Sequence, residues 1–237
     1  MTLALPAFVV IGGGEIGAGY ARQLLRACAA GRLATDEIVV VDRDPGCAAR
    51  ALVDRRLRFA VADWSEWLDA HLDAYPSAHL VPYHWAPHLF SDWLARQAAR
   101  RGGRAQRVDA LPVQAVPFER ATAAGDRALS YATWICPPTC IEPALCPHTR
   151  GPKDWSLAGH LARPQAGEAL ERIVFPCLHL VWGVGTVPVR ELLEARDRLW
   201  AGLAAGPRRY LVATASHCHG LAAALEVTPG AEAPPPP

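Results

Sequence analysis

"VVIGGGEIGAGYARQL", residues 9–24, decides how the chain begins to fold. An apolar run closing on glycines reads as a buried parallel strand, here residues 7–12. Beyond the glycines, Ile16, Tyr20, Leu24, Leu25 and Cys28 recur on one helical face, and Gly31 follows as a stop. Gly12-x-Gly14-x-x-Gly17 joins strand to helix, with Ala21 four residues further on. The first glycine permits the tight turn, the second lets a phosphate approach the backbone, and the third lets helix and strand pack closely.

The next apolar run, residues 37–42 (EIVVVD), reads as a second buried strand and ends in Asp42. An acidic residue there accepts from the ribose hydroxyls of a dinucleotide, while the new helix turns its free N–H groups and dipole toward the pyrophosphate. The expected cofactor contacts are therefore Gly12, Gly13, Gly14, Glu15, Ile16 and Gly17, together with Asp42 and Arg43. Asp42 favours NAD, and Arg43 offers a partner for the 2′-phosphate of NADP. Asp42 lies 25 residues beyond Gly17, farther than the usual spacing of about 20. The loop over residues 31–36 absorbs the excess.

The same alternation continues outward. A helix is expected over about residues 46–56, strands over 57–62 and 78–83, and a helix from Pro87 through Leu89, Phe90, Trp93, Leu94 and Ala98. Strands and helices in turn imply a Rossmann-like α/β domain over residues 1–108, a parallel sheet with helices on both faces. The Gly/Arg-rich break at 101–107 changes the pattern. Residues 109–228 read as an α+β region carrying a Cys/Pro-rich loop at 136–155. Its later part holds an apolar run over 173–182, a helix over about 188–204, and strands over 209–216 and 220–227. The tail, 229–237, cannot pack and is expected to be disordered.

The motif "VVIGGGEIG…IVVVDRDPGCAARAL" resembles the NAD-binding TrkA-N domains of potassium uptake systems, and also the N-terminal domain of saccharopine-dehydrogenase-like proteins. The resemblance covers roughly residues 7–65. It implies a bound dinucleotide and leaves the reaction open.

"LVPYHWAPHLF" places His84 and His88 just beyond the fourth strand, where ligands of open α/β sheets bind. A histidine there suits general acid–base work, because its pKa lies near neutrality. Tyr83 is a second donor, and the bland alternative is a histidine bonded to backbone in the first helical turn.

"CPPTCIEPALCPH" gathers Cys136, Cys140 and Cys146 with His148. Three soft thiolates in a proline-stiffened loop suit zinc or an iron–sulfur cluster, although C-x3-C-x5-C is neither a zinc-ribbon nor a ferredoxin spacing. A fourth ligand is sought in His148, Cys177, His179, His217, Cys218 or His219. Reduced cysteines in a purely structural loop are the other reading, and a Cys136–Cys140 redox pair is a third.

The 237 residues carry a formal net charge of +1, against a nucleic-acid surface, and seven cysteines. The N-terminus lacks a basic n-region and the longest apolar runs fall short of about 20 residues, so neither a secretory signal nor a membrane span is expected. A cytoplasmic protein follows, with a small-molecule substrate and, compatibly, a homo-oligomeric state. The expected function is an NAD(P)-binding oxidoreductase with a Cys-rich metal or iron–sulfur site. A non-catalytic NAD-sensing regulator of TrkA-N type is the alternative.

Overall fold

The structure, a computed structural model, describes residues 2–83, 85–108, 111, 114–137, 140–164 and 169–230. His84 and the tail residues 231–237 lie outside these. The chain has a mixed α/β fold with several sheets, and it divides into two units that interleave along the sequence. The first takes Met1–Tyr83, Pro137–Pro143 and Leu178–Leu193; the second takes His84–Cys136, Ala144–Cys177 and Glu194–Pro237. The chain leaves the first unit after Tyr83 and returns to it at Pro137–Pro143 and Leu178–Leu193.

In the first unit a short parallel pair, β1 (Leu3–Ala4) with β3 (Leu33–Ala34), stands beside a six-stranded sheet. β2 (Ala7–Ile11) occupies its middle, parallel to β4 (Glu37–Asp42) on one side and β6 (His79–Val81) on the other. Every residue of β2 is buried, as a strand paired on both edges and covered on its faces must be. β5 (Leu57–Val61) continues the parallel run beyond β4. β11 (Leu178–Val181) and β12 (Val184–Pro188) complete the sheet, each antiparallel to its neighbour, in the order β11-β12-β6-β2-β4-β5. Their return about a hundred residues after β6 was not foreseen, because the apolar run 173–182 reads as one strand. Here Cys177 interrupts it, so that β10 (Leu170–Pro176) and β11 join different sheets.

Helix α1 (Glu15–Ala29) lays Ala18, Ala21 and Leu24 against Phe8, Val10, Ile38 and Val40. Burying each of the larger side chains contributes about 1.5–3 kcal/mol. The helix expected over 46–56 is only a 3-10 turn at Ala48–Ala51, and Val53 is 96% exposed. The segment is short: Asp54 accepts from the Arg56 N–H at 2.9 Å and turns the chain straight into β5. Conversely α2 (Trp64–His71) was missed, although Asp63 caps it by accepting from the Ser65 and Glu66 N–H groups.

The second unit is a six-stranded sheet of β7 (Arg104–Val108), β8 (Phe118–Ala121), β9 (Arg127–Ser130), β10, β13 (Arg208–Ala215) and β14 (His219–Thr228). β10 and β13 run parallel, and the other pairs are antiparallel. Helix α3 (Leu89–Arg100) packs on β7, β13 and β14, and α4 (Leu157–Ala162) packs on β10 and β13. The core gathers Leu129, Leu157, Leu161, Leu211 and Ala213. β9 ends at Ser130, whose hydroxyl takes the Ala132 N–H at 2.8 Å and turns the chain. The last long helix, α5 (Val189–Leu203), starts in the first unit and ends in the second. Among the described residues no helix is long and apolar enough to cross a membrane.

Candidate functional site

In the glycine loop, close contacts exclude a side chain at Gly13 and Gly17, and Gly12 holds a backbone conformation that favours glycine. Gly12 has φ +87°, a conformation L side chains rarely adopt, and its N–H donates to Val41 O at 2.9 Å. A Cβ on Gly17 would lie 1.8 Å from the Gly12 carbonyl oxygen, so only glycine lets α1 approach the end of β2 this closely. A Cβ on Gly13 would lie 2.4 Å from Cys47 Sγ. Gly14 differs: it is exposed, extended, and would meet nothing within 4 Å. It is the N-cap of α1, and no side chain caps that helix end. Glu15 and Ile16 beside it are exposed.

Asp42, at the end of β4, is tied into the loop. Its Oδ2 accepts the Gly13 N–H at 2.6 Å, and its Oδ1 accepts the Asp44 N–H at 2.9 Å. Ala49 N–H donates back to Gly13 O at 2.8 Å, so the segment after β4 embraces the glycines from both sides. Each carboxylate oxygen keeps a further lone pair for a hydroxyl. Arg43 is exposed next to it. The opposite wall is aromatic: Trp64 and Tyr83 have ring centroids 4.6 Å apart, and both lie within contact distance of where a Gly12 side chain would begin. Trp64 escaped the sequence reading. The Asp63…Glu66 pair ahead of an apolar run is the capping signal that would have revealed it.

His88 sits in the second unit as the N-cap of α3. Its Nδ1 accepts the Ser91 N–H at 3.1 Å, its own N–H donates to Asp126 Oδ2 at 2.9 Å, and its carbonyl accepts from Arg107 Nη2 at 3.0 Å. Arg107 also pairs with Asp92 at 2.8 Å and with Asp126. The imidazole is 2% exposed, and burial, helped by the Arg107 guanidinium, pushes its pKa down to about 3. Burial pushes the Asp126 carboxyl up, against the pull of Arg107 and the His88 N–H. A neutral imidazole whose Nδ1 lone pair is spent on a helix cap is a structural group, so the bland alternative for His88 describes its geometry.

Of the cysteine-loop residues, Cys136 and Cys140 are half-buried and Cys146 is buried. Cys140 belongs to the first unit, and Cys136 and Cys146 to the second. Cys146 is wrapped by a tight turn: its N–H donates to Gly151 O at 2.9 Å and Arg150 N–H donates to its carbonyl at 2.8 Å. Hydrogen bonding from the Thr149 and His148 N–H groups lowers its thiol pKa, with Lys153 adding to the effect. His148 stacks on Trp134 with centroids 4.5 Å apart. His179 Nδ1 faces the Cys140 carbonyl at 2.6 Å, and Trp155 Nε1 donates to Cys218 Sγ at 3.4 Å. At the turn between β13 and β14, Cys218 is buried while His217 and His219 are exposed. Among the described residues no group of three or more His, Cys, Asp or Glu side chains is placed to hold a metal ion.

Most of the second unit, and the two strands that return to the first sheet, fall within one family match. The chain belongs to the family described as AF_1314_C, uncharacterized protein, C-terminal domain, whose model matches residues 90–228. That covers more than half of the chain and leaves the glycine loop outside it. Neither a curated protein nor a solved structure matches the chain.

Proposed function

We propose that the protein binds a dinucleotide at the glycine loop, NAD in preference to NADP, and acts as an oxidoreductase on a small molecule. The observation that carries this reading is the Asp42 carboxylate locked to the Gly13 N–H beside a helix end that no side chain caps. The strand order β5-β4-β2-β6, reversing at β2, supports a Rossmann-type half-domain, whose ligands lie beyond the carboxyl ends of the strands. In this reading the exposed Gly14 and the first-turn N–H groups of α1 face the pyrophosphate, and Gly17 keeps that helix end against β2. Asp42 uses its remaining lone pairs on the ribose diol. Arg43 is the group that would take a 2′-phosphate. The nicotinamide supplies hydride chemistry when bound; this chain binds and orients it.

A non-catalytic NAD sensor is the second reading, and one observation favours it: His88, the described one of the two candidate bases, is buried and serves as a helix cap. Titrating the protein into NADH and following nicotinamide fluorescence, with ADP-ribose as competitor, tests binding. Saturable enhancement reversed by ADP-ribose supports the proposal; flat titrations with NADH and NADPH sink it. NADH consumption against a panel of small carbonyl compounds then separates enzyme from sensor.

A further inference from the structure

Three neighbouring strands of the first unit end level with one another. Ile11 on β2 pairs with Val41 on β4, and Val10 pairs with Val81 on β6. Carried one and two residues further, that register sets Asp42, Gly12 and Tyr83 side by side at the carboxyl ends of β4, β2 and β6. Paired strands lie about 4.8 Å apart, so Asp42 and Tyr83 flank Gly12 at roughly 10 Å from each other. A dinucleotide is longer than that. With its adenosine ribose on Asp42 and its pyrophosphate over the glycines, its other half runs past β2 toward β6.

The end of β6 is aromatic. Trp64, the first residue of α2, reaches back to pack on Tyr83, with ring centroids 4.6 Å apart and planes inclined at 41°. Tyr83 is 37% exposed and Trp64 is half-buried, so ring surface stays open to a ligand. Trp64 Nε1 is buried and meets no acceptor among the described residues, so ring contacts alone hold the indole. Gly12 keeps the approach clear, because a Cβ there would begin 3.5 Å from Trp64 and 3.8 Å from Tyr83.

We infer that the Trp64–Tyr83 pair is the platform for the nicotinamide ring and that it favours the oxidised cofactor; the inference rests on the dinucleotide reading above. A planar heterocycle stacks on aromatic side chains without needing a hydrogen bond from them. The oxidised ring carries a positive charge that the reduced ring lacks, and the negative faces of indole and phenol attract it. The pair therefore sets specificity at the reacting end of the cofactor, as Asp42 does at the adenosine end.

Calorimetry on the full chain with the oxidised cofactor NAD, with NADH and with ADP-ribose, which lacks the nicotinamide, tests this. The unaltered protein should bind NAD about threefold more tightly than NADH, and both more tightly than ADP-ribose. Trp64→Leu/Tyr83→Leu should weaken NAD roughly tenfold, to the level of ADP-ribose, whose own binding stays unchanged. Trp64→Phe/Tyr83→Phe keeps the rings and should restore most of the loss. Tyr83→Leu alone, at an exposed ring, should show the same selective loss and replaces the double variant where that one does not fold. ADP-ribose binding as tightly as NAD, or falling in parallel with it in the leucine variants, would overturn the platform while leaving the glycine-loop site intact. NADH binding as tightly as NAD or more so would overturn the preference for the charged ring. No binding of any of the three would overturn the dinucleotide reading itself, and the platform with it.

Discussion

The first unit builds its candidate site from glycine backbone within one strand–helix–strand passage, whereas the second gathers charged side chains around a buried helix cap. Gly12, Gly13 and Gly17 meet Val41, Asp42 and Cys47 within one strand–helix–strand passage. His88 meets Arg107 and Asp126, which are 19 and 38 residues away along the chain. The sequence separations are similar, and the difference is chemical. In the first unit the close packing is of glycine backbone, and the polar groups remain half-exposed and able to receive a ligand. In the second the polar groups are buried against one another and hold an element in place.

The largest effect that would break this contrast lies at Gly17. A Cβ 1.8 Å from the Gly12 oxygen cannot be accommodated without moving α1 from β2. Gly17→Ala should cost about 3 kcal/mol in urea unfolding and abolish NADH binding. Near-native stability would show that the helix end is not pressed on the loop.

The second unit offers the next effect. Folded His88 stays neutral down to about pH 3, while an unfolded histidine protonates near 6.5. Between those values the unfolded chain holds the extra proton, so the contribution of His88 is complete above pH 6.5 and shrinks as pH falls. The loss approaches about 1.4 kcal/mol per pH unit below the unfolded value, on the order of 2 kcal/mol by pH 5. Asp126, which accepts from the His88 N–H and is pushed upward, titrates with the opposite sign, and comparison with His88→Asn removes its share. Asparagine still caps the helix but cannot titrate. The variant should therefore lose stability less steeply between pH 7 and 5, as read by thermal melts. Parallel slopes would show that His88 titrates normally and is not a buried cap.

A smaller change sharpens the first unit alone. Asp42→Ala leaves the Gly13 N–H without its acceptor and should cost about 1 kcal/mol of stability. It should also weaken NAD roughly tenfold, about 1.4 kcal/mol, and NADP less, as parallel titrations would register. Equal losses for the two cofactors would separate Asp42 from ribose recognition.

The same contrast explains what the sequence made legible. The order of β2, loop, α1 and β4 could be read because periodicity, glycine spacing and Asp42 all fall within residues 7–42. The return of β11 and β12 to that sheet could not, since an edge strand paired antiparallel to a distant neighbour carries no local mark of its partner. The helix placed over 46–56 failed because a short crossover needed only a 3-10 turn. The role of His88 depended on Asp126 and Arg107, which the local sequence "APHLF" does not announce. In the cysteine loop, spacing conveyed that thiols were close in sequence, but not that the Cys146 thiol would be engaged by the backbone of its own turn.

The most direct test of the central claim is amide hydrogen exchange read by mass spectrometry on the full chain with and without saturating NADH. The account predicts slowed exchange in peptides covering residues 12–18 and 42–49, where the glycine loop and Asp42 lie, and unchanged exchange across β13 and β14. Unchanged exchange at 12–18 and 42–49 while NADH is bound would contradict it, because the cofactor would then sit elsewhere.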